Sequence, residues 1–138
     1  MARYSTPIPA LALGFMNDDH AEELQLLEAA ALAAAATPPL DRAAVMARLG
    51  ALAAHTQAHF EREEAVMREV GFPPYPVHKA EHDRVLAEFG GEVAAYEAGG
   101  DAARLLAYLD AVVSGWFPSH MASMDTITAQ FAAMRGKR

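Results

Sequence analysis

The stretch HFEREEAVMREVGFPPYPVHKAEH, residues 59–82, carries two pairs of polar residues four apart, His59 with Glu63 and His78 with His82, on either side of a proline-rich break. In an α-helix, residues four apart lie about 40° from each other around the axis, so both members of a pair can reach one point. Gly71 can stop the first helix in a left-handed conformation, and the three prolines between Phe72 and Pro76 forbid its continuation. The second helix restarts near Pro76, because proline suits a first turn. The stretch therefore predicts two helices joined by a tight turn, each presenting a pair with metal-ligand geometry.

Working outward, the first of these helices extends back to Asp41, a good cap, and its inner stripe reads Val45, Leu49, Leu52, His59 and Glu63. Before it, His20, Leu24, Leu27 and Ala31 recur at helical spacing between the candidate caps Asn17 and Asp18 and the stop at Thr37, Pro38 and Pro39. Residues 1–16, with Pro7 and Pro9, read as an extended arm. Downstream, His78, His82, Val85, Phe89, Val93 and Tyr96 share a face until Gly99 and Gly100 break the run. Asp101 caps the last helix, whose stripe is Leu105, Leu109, Val112, Trp116 and His120, with Pro118 expected to kink or split it near Gly115. The expected helices are about 18–36, 41–70, 76–98 and 101–134. With no strand pattern, the prediction is a single all-α domain over residues 1–138, an antiparallel up-down-up-down four-helix bundle with an extended N-terminal arm.

A chain of 138 residues that is 53% hydrophobic is sized for one domain with a real core. The net charge of −7 is scattered along the chain, which argues against a nucleic-acid partner. With no cysteine, disulfides, iron–sulfur clusters and thiolate zinc sites are excluded, and any metal must be held by nitrogen and oxygen. The apolar stretch from Ile8 to Phe15 is too short to span a bilayer, and a cytoplasmic location is expected.

Every predicted helix places at least one histidine on its apolar stripe, and two of them add a carboxylate. A lone histidine there is ordinarily a hydrogen-bonded core residue. Five, His20, His59, His78, His82 and His120, together with Glu63 and Asp125, demand a cation, since unpaired buried charges are costly. His120 and Asp125 are five apart, about 140° around a regular helix, so either the turn is widened or the two approach from opposite flanks. Two roughly octahedral metals offer about twelve positions, of which five imidazoles and two bridging carboxylates fill about nine. A shared oxo or hydroxo bridge takes two more and leaves one open for a small ligand.

At these residues the chain resembles the hemerythrins, most closely the single-domain bacterial ones, over nearly its whole length. The pattern stands here as Asn17-Asp18-Asp19-His20, His59-Phe60-Glu61-Arg62-Glu63-Glu64 followed by Met67, His78-x3-His82, and Trp116-x3-His120-x4-Asp125. The five-residue spacing of His120 and Asp125 is the family's own. By resemblance, His78, His82 and His120 coordinate one iron, His20 and His59 the other, and Glu63 and Asp125 bridge them, with the vacancy on the second iron. The resemblance implies reversible dioxygen binding at this non-heme diiron centre, for oxygen storage, delivery or scavenging, with the recipient an unidentified oxygen-consuming enzyme or membrane system.

By the same resemblance Phe60, Trp116, Phe117, Met121 and Ala122 line the ligand pocket, a role compatible with ordinary core packing. Met121 stands where the family usually has isoleucine, and Ala122 where a leucine is common, so the pocket is expected to widen there. Such widening motivates a diiron enzyme acting on peroxide or nitric oxide as the competing reading, although no Glu-x-x-His pair of the enzymatic bundles is present. An oxygen- or redox-sensing interaction module is a third. His55, one turn before His59, is open between an outer partner of the site, a pocket residue and a core histidine.

Overall fold

The computed structural model describes residues 3–138. Three long helices, α1 (Gly14–Ala34), α2 (Arg42–Val70) and α3 (Tyr75–Gly99), are followed by a fourth helical rod. This rod runs through α4 (Ala102–Ala111), a widened π-type turn (Val112–Trp116), α5 (Phe117–His120), a second widened turn (Met121–Asp125) and α6 (Thr126–Met134). No strand is present among the described residues, and α1 packs on α2 and α4 while α3 also packs on α2 and α4, which closes a four-membered ring. No helix among the described residues is long and apolar enough to cross a membrane.

Local chemistry explains most of the boundaries. The Asp41 carboxylate accepts from Ala44 N–H at 3.1 Å and the Asp101 carboxylate from Arg104 N–H at 3.0 Å, each satisfying a first-turn donor. Gly71 and Gly100 end their helices at φ of 65° and 68°, the left-handed region that only glycine enters without strain.

The start of α1 corrects the sequence reading. Neither Asn17 nor Asp18 caps it; the helix begins at Gly14, inside the expected arm. Asn17 instead exchanges two hydrogen bonds with the backbone of Leu11, at 2.8 and 3.1 Å, and so ties the arm to the first turn. The extra turn is held by burial, since Leu13 and Met16 lose all exposure against Ala129 and Ala132. The arm itself spans α1 and α4. Tyr4 donates its hydroxyl to Asp110 at 2.8 Å and its N–H to Glu28 at 3.1 Å, and the Arg3 guanidinium forks onto Asp110.

Pro118 does not split the last helix; the disturbance expected near Gly115 takes the form of the widened Val112–Trp116 turn. The residues flanking both widened turns keep right-handed helical dihedrals, and Phe117 N–H reaches back five residues to Val112 C=O. The missing proline donor is thus absorbed by a local change of helix pitch rather than a break. Hydroxyls add hydrogen bonds along the irregular ladder: Ser114 donates to Asp110 C=O at 2.8 Å, Ser123 to Ser119 C=O and Thr126 to Met121 C=O, both at 2.7 Å.

Two apolar clusters result. The larger is built from residues such as Leu27, Leu49, Leu52, Phe89, Leu105 and Leu109, the smaller from Leu13, Met16, Ala129 and Ala132. On α1, His20 and Glu23 lie between Met16 of the smaller cluster and Leu27 of the larger, and on the last rod Asp125 lies between Met121 of the larger and Ala129 of the smaller. Leu109 is wholly buried. Leu109→Ala is expected to lower unfolding stability by roughly 2–5 kcal/mol in urea titration, and a loss under about 1 kcal/mol would refute its place in this core.

Candidate metal centre

All seven residues singled out by spacing converge between the helices, and His20, Glu63 and His82 have no exposed surface at all. Two groups of ligand atoms form there. Glu63, His78, His82, His120 and Asp125 bring one set together, and His20, His59 and Glu63 a second, each with its atoms within 4.8 Å of one another.

The carboxylates join the sets by dividing their oxygens. Glu63 Oε1 lies 3.3 Å from His82 Nε2, while its Oε2 lies 2.8 Å from His59 Nε2 and 3.4 Å from His20 Nε2. Asp125 Oδ1 lies 3.1 Å from His78 Nε2 and 3.2 Å from His120 Nε2, and its Oδ2 3.0 Å from His20 Nε2. Asp125 reaches this position because the Met121–Asp125 turn is widened, which returns a residue five after His120 to the same face. Of the two geometries open from sequence, the structure takes the widened turn.

Three imidazoles are oriented from behind. The other ring nitrogen, Nδ1, faces Glu23 in His59 at 3.2 Å, Thr128 in His78 at 2.8 Å and Glu64 in His82 at 2.8 Å. A carboxylate at Nδ1 accepts the ring proton there, which leaves Nε2 with its lone pair facing inward. Sequence reasoning missed Glu23, Glu64 and Thr128 in this role. Their signal was faint: each is a polar residue on the buried face of its helix, three residues from His20, one from Glu63 and three from Asp125.

Inward lone pairs that face carboxylate oxygens are pairs of acceptors, so something positive must lie between them. His20 Nδ1 and Nε2, Glu63 Oε1, His82 Nε2 and Asp125 Oδ1 are buried without a hydrogen-bond partner, and the only other such side-chain atom among the described residues is the Tyr96 hydroxyl. This donor set, nitrogen and carboxylate oxygen with unsatisfied atoms turned inward, fits divalent metal ions. Without a metal, protons fill the gap. Burial pushes the imidazoles down, but Asp125 and Glu63 outweigh it at His20, raised to about 8, and Glu23 and Glu63 do so at His59, raised to about 10. Burial raises both carboxyls, yet the surrounding imidazoles hold Glu63 and Asp125 well below the usual carboxylate range.

Aromatic rings wall the centre. Phe60 stacks on His82 with centroids 3.8 Å apart, Trp116 on His120 at 4.5 Å, and Phe117 stands edge-on to His20. A largely apolar cavity of about 40 Å³ abuts this face, lined among others by Leu52, Phe60, Phe89, Trp116 and Phe117. Room of that size admits a few atoms at most. Met121 does not line the cavity; it is fully buried in the larger core cluster. Ala122 is exposed on the outer side of the widened turn, so the pocket widening expected there is corrected. His55 is not one of the seven but stands beside His59, with ring centroids 5.8 Å apart, and its Nε2 lies 3.1 Å from the Asp19 carbonyl.

These charges fix the pH dependence. An imidazole raised above its ordinary pKa of about 6.5 stabilises the metal-free fold fully below that pH, and the contribution is lost as pH rises through about 8 for His20 and about 10 for His59. A metal must displace the same protons. Metal affinity is therefore expected to climb as pH rises through 7 to 9, with protons released on loading. Buffer-indicator titration measures both, and a flat affinity without proton release would refute the assignment.

The comparisons with known proteins agree. The chain is 38% identical over 129 residues to the Bacteriohemerythrin of Ralstonia nicotianae, covering 92% of this chain and 88% of that one. It is 36% identical over 72 residues to the Bacteriohemerythrin of Aquifex aeolicus, about half of either protein. Crystal structures of hemerythrin with a leucine replaced by tyrosine or by alanine share the fold, each with a TM-score of 0.79 at 22% identity, over 96% of this chain and 98% of theirs. The Hemerythrin HHE cation binding domain family matches residues 11–132, and the chain belongs to the hemerythrin family.

Proposed function

We propose that the cluster holds two iron ions and that the protein binds dioxygen reversibly. His78, His82 and His120 hold one ion, His20 and His59 the other, and Glu63 and Asp125 bridge them. The observation that carries this reading is the division of each carboxylate, one oxygen toward each set of imidazoles. The unequal sets, three imidazoles against two, leave an open position on the His20 and His59 side. Two iron ions held by these residues would supply electrons and a site for dioxygen.

The chain's own residues do the rest. Glu23, Thr128 and Glu64 hold three of the rings in the tautomer that presents Nε2 inward. Phe117 beside His20, with Leu52 and Phe60, makes the cavity on this side apolar, which keeps water and protons away from a bound small molecule. The outward position of Ala122 removes the feature that favoured a peroxide- or nitric-oxide-handling enzyme.

Iron-loaded, reduced protein is expected to gain a visible charge-transfer band in air and lose it under argon over repeated cycles. Irreversible bleaching with no oxygenated form would overturn the reading. His20→Ala removes one of only two imidazoles on its side, so iron content should fall from about two toward one per chain. Retention of both irons in that variant would refute the division of the ligands.

A further inference from the structure

Metal has to reach a centre in which His20, Glu63 and His82 have no exposed surface. One line of ligand-type groups leads out of it. Side-chain exposure rises along the line from 0% at Glu63 through 2% at His59, 8% at Glu23 and 9% at His55 to 61% at Glu22. The steps are short: His59 Nε2 to Glu63 is 2.8 Å, His59 Nδ1 to Glu23 Oε1 is 3.2 Å, that oxygen to His55 Nε2 is 3.8 Å, and His55 Nδ1 to Glu22 Oε2 is 3.5 Å.

The outer end has the chemistry of a cation site. The Asp19 carbonyl, 3.1 Å from His55 Nε2, can only accept, so Nε2 carries a proton and Nδ1 is the nitrogen left to take a cation. Nδ1 faces the Glu22 carboxylate across a gap that a proton or a metal ion fills, in a ring whose side chain is nine-tenths buried. Their separation of 3.5 Å suits a metal making bonds of roughly 2.0–2.2 Å to each. Asp19, Glu22 and His55 bring ligand atoms within 4.8 Å of one another, but the Asp19 carboxylate is already forked by Arg62 at 2.6 and 2.8 Å. Two protein ligands and water make a weak site. Weakness suits a staging position, which must bind well enough to capture an ion and loosely enough to release it.

We propose that Glu22 and His55 form a loading site for a divalent cation, which Glu23 hands on to the His59 side of the buried cluster. The proposal rests on the cluster being a metal centre, and loading kinetics separate the two claims. Metal-free protein mixed with Co²⁺ under anaerobic conditions reports uptake by its visible absorbance, and metal analysis gives the final content. Glu22→Gln and His55→Phe are expected to slow uptake about tenfold while the final content matches wild type, and Glu22→Asp to restore most of the rate. Glu22 is exposed, so its variants leave the fold intact. Unchanged uptake rates in both variants would overturn the loading site, as would a fall in final content equal to the fall in rate. A wild-type protein that takes up no metal would overturn the centre itself.

Discussion

Two buried carboxylates, each shared between two groups of imidazoles, are the constraint around which this bundle is arranged. An ionised carboxylate taken from water into a protein interior forfeits several kcal/mol of hydration unless compensated. Glu63 sits between His82 on one side and His20 and His59 on the other, and Asp125 between His78, His120 and His20. Imidazole nitrogens alone are poor compensation, because their lone pairs repel the same oxygens. Positive charge in the gap, proton or metal, is what makes the interior tolerable, and this links the folded state to its cargo.

The rest of the interior serves that charge. Glu23, Glu64 and Thr128 each bond an imidazole on another helix, so one hydrogen bond both turns a ring and joins two helices, and the stacked Phe60 and Trp116 hold the rings of His82 and His120. Apolar clusters above and below supply cohesion that the polar layer lacks, and the arm clasps α1 to α4 through Tyr4, Glu28 and Asp110. Low polarity on the cavity side strengthens every electrostatic contact within the layer.

Much of this was legible in the sequence because helical geometry converts spacing into direction. His59 with Glu63 and His78 with His82 declared a shared point from their four-residue interval alone, and Asp41, Gly71 and Asp101 marked where helices begin and end. What stayed hidden depended on contacts between distant segments. Gly14 opens α1 because Met16 finds Ala129 and Ala132 across the bundle, which no local cap signal announces. Ala122 aligned with a pocket position by resemblance, yet the widened turn carries it to the surface. Glu23 and Glu64 looked like ordinary acidic residues, since only the fold shows that an imidazole lies behind each.

The two widened turns of the last rod have a mechanical consequence. Each lodges one residue beyond what a regular helix would hold in the same length, so the stretch between them is phased differently from the segments on either side. Core packing around Leu105 and Leu109, and packing around Ala129 and Ala132, need not share one register with His120. The two ends of the bundle can therefore diverge in sequence and repack independently, while the layer between them keeps the orientation its charge requires.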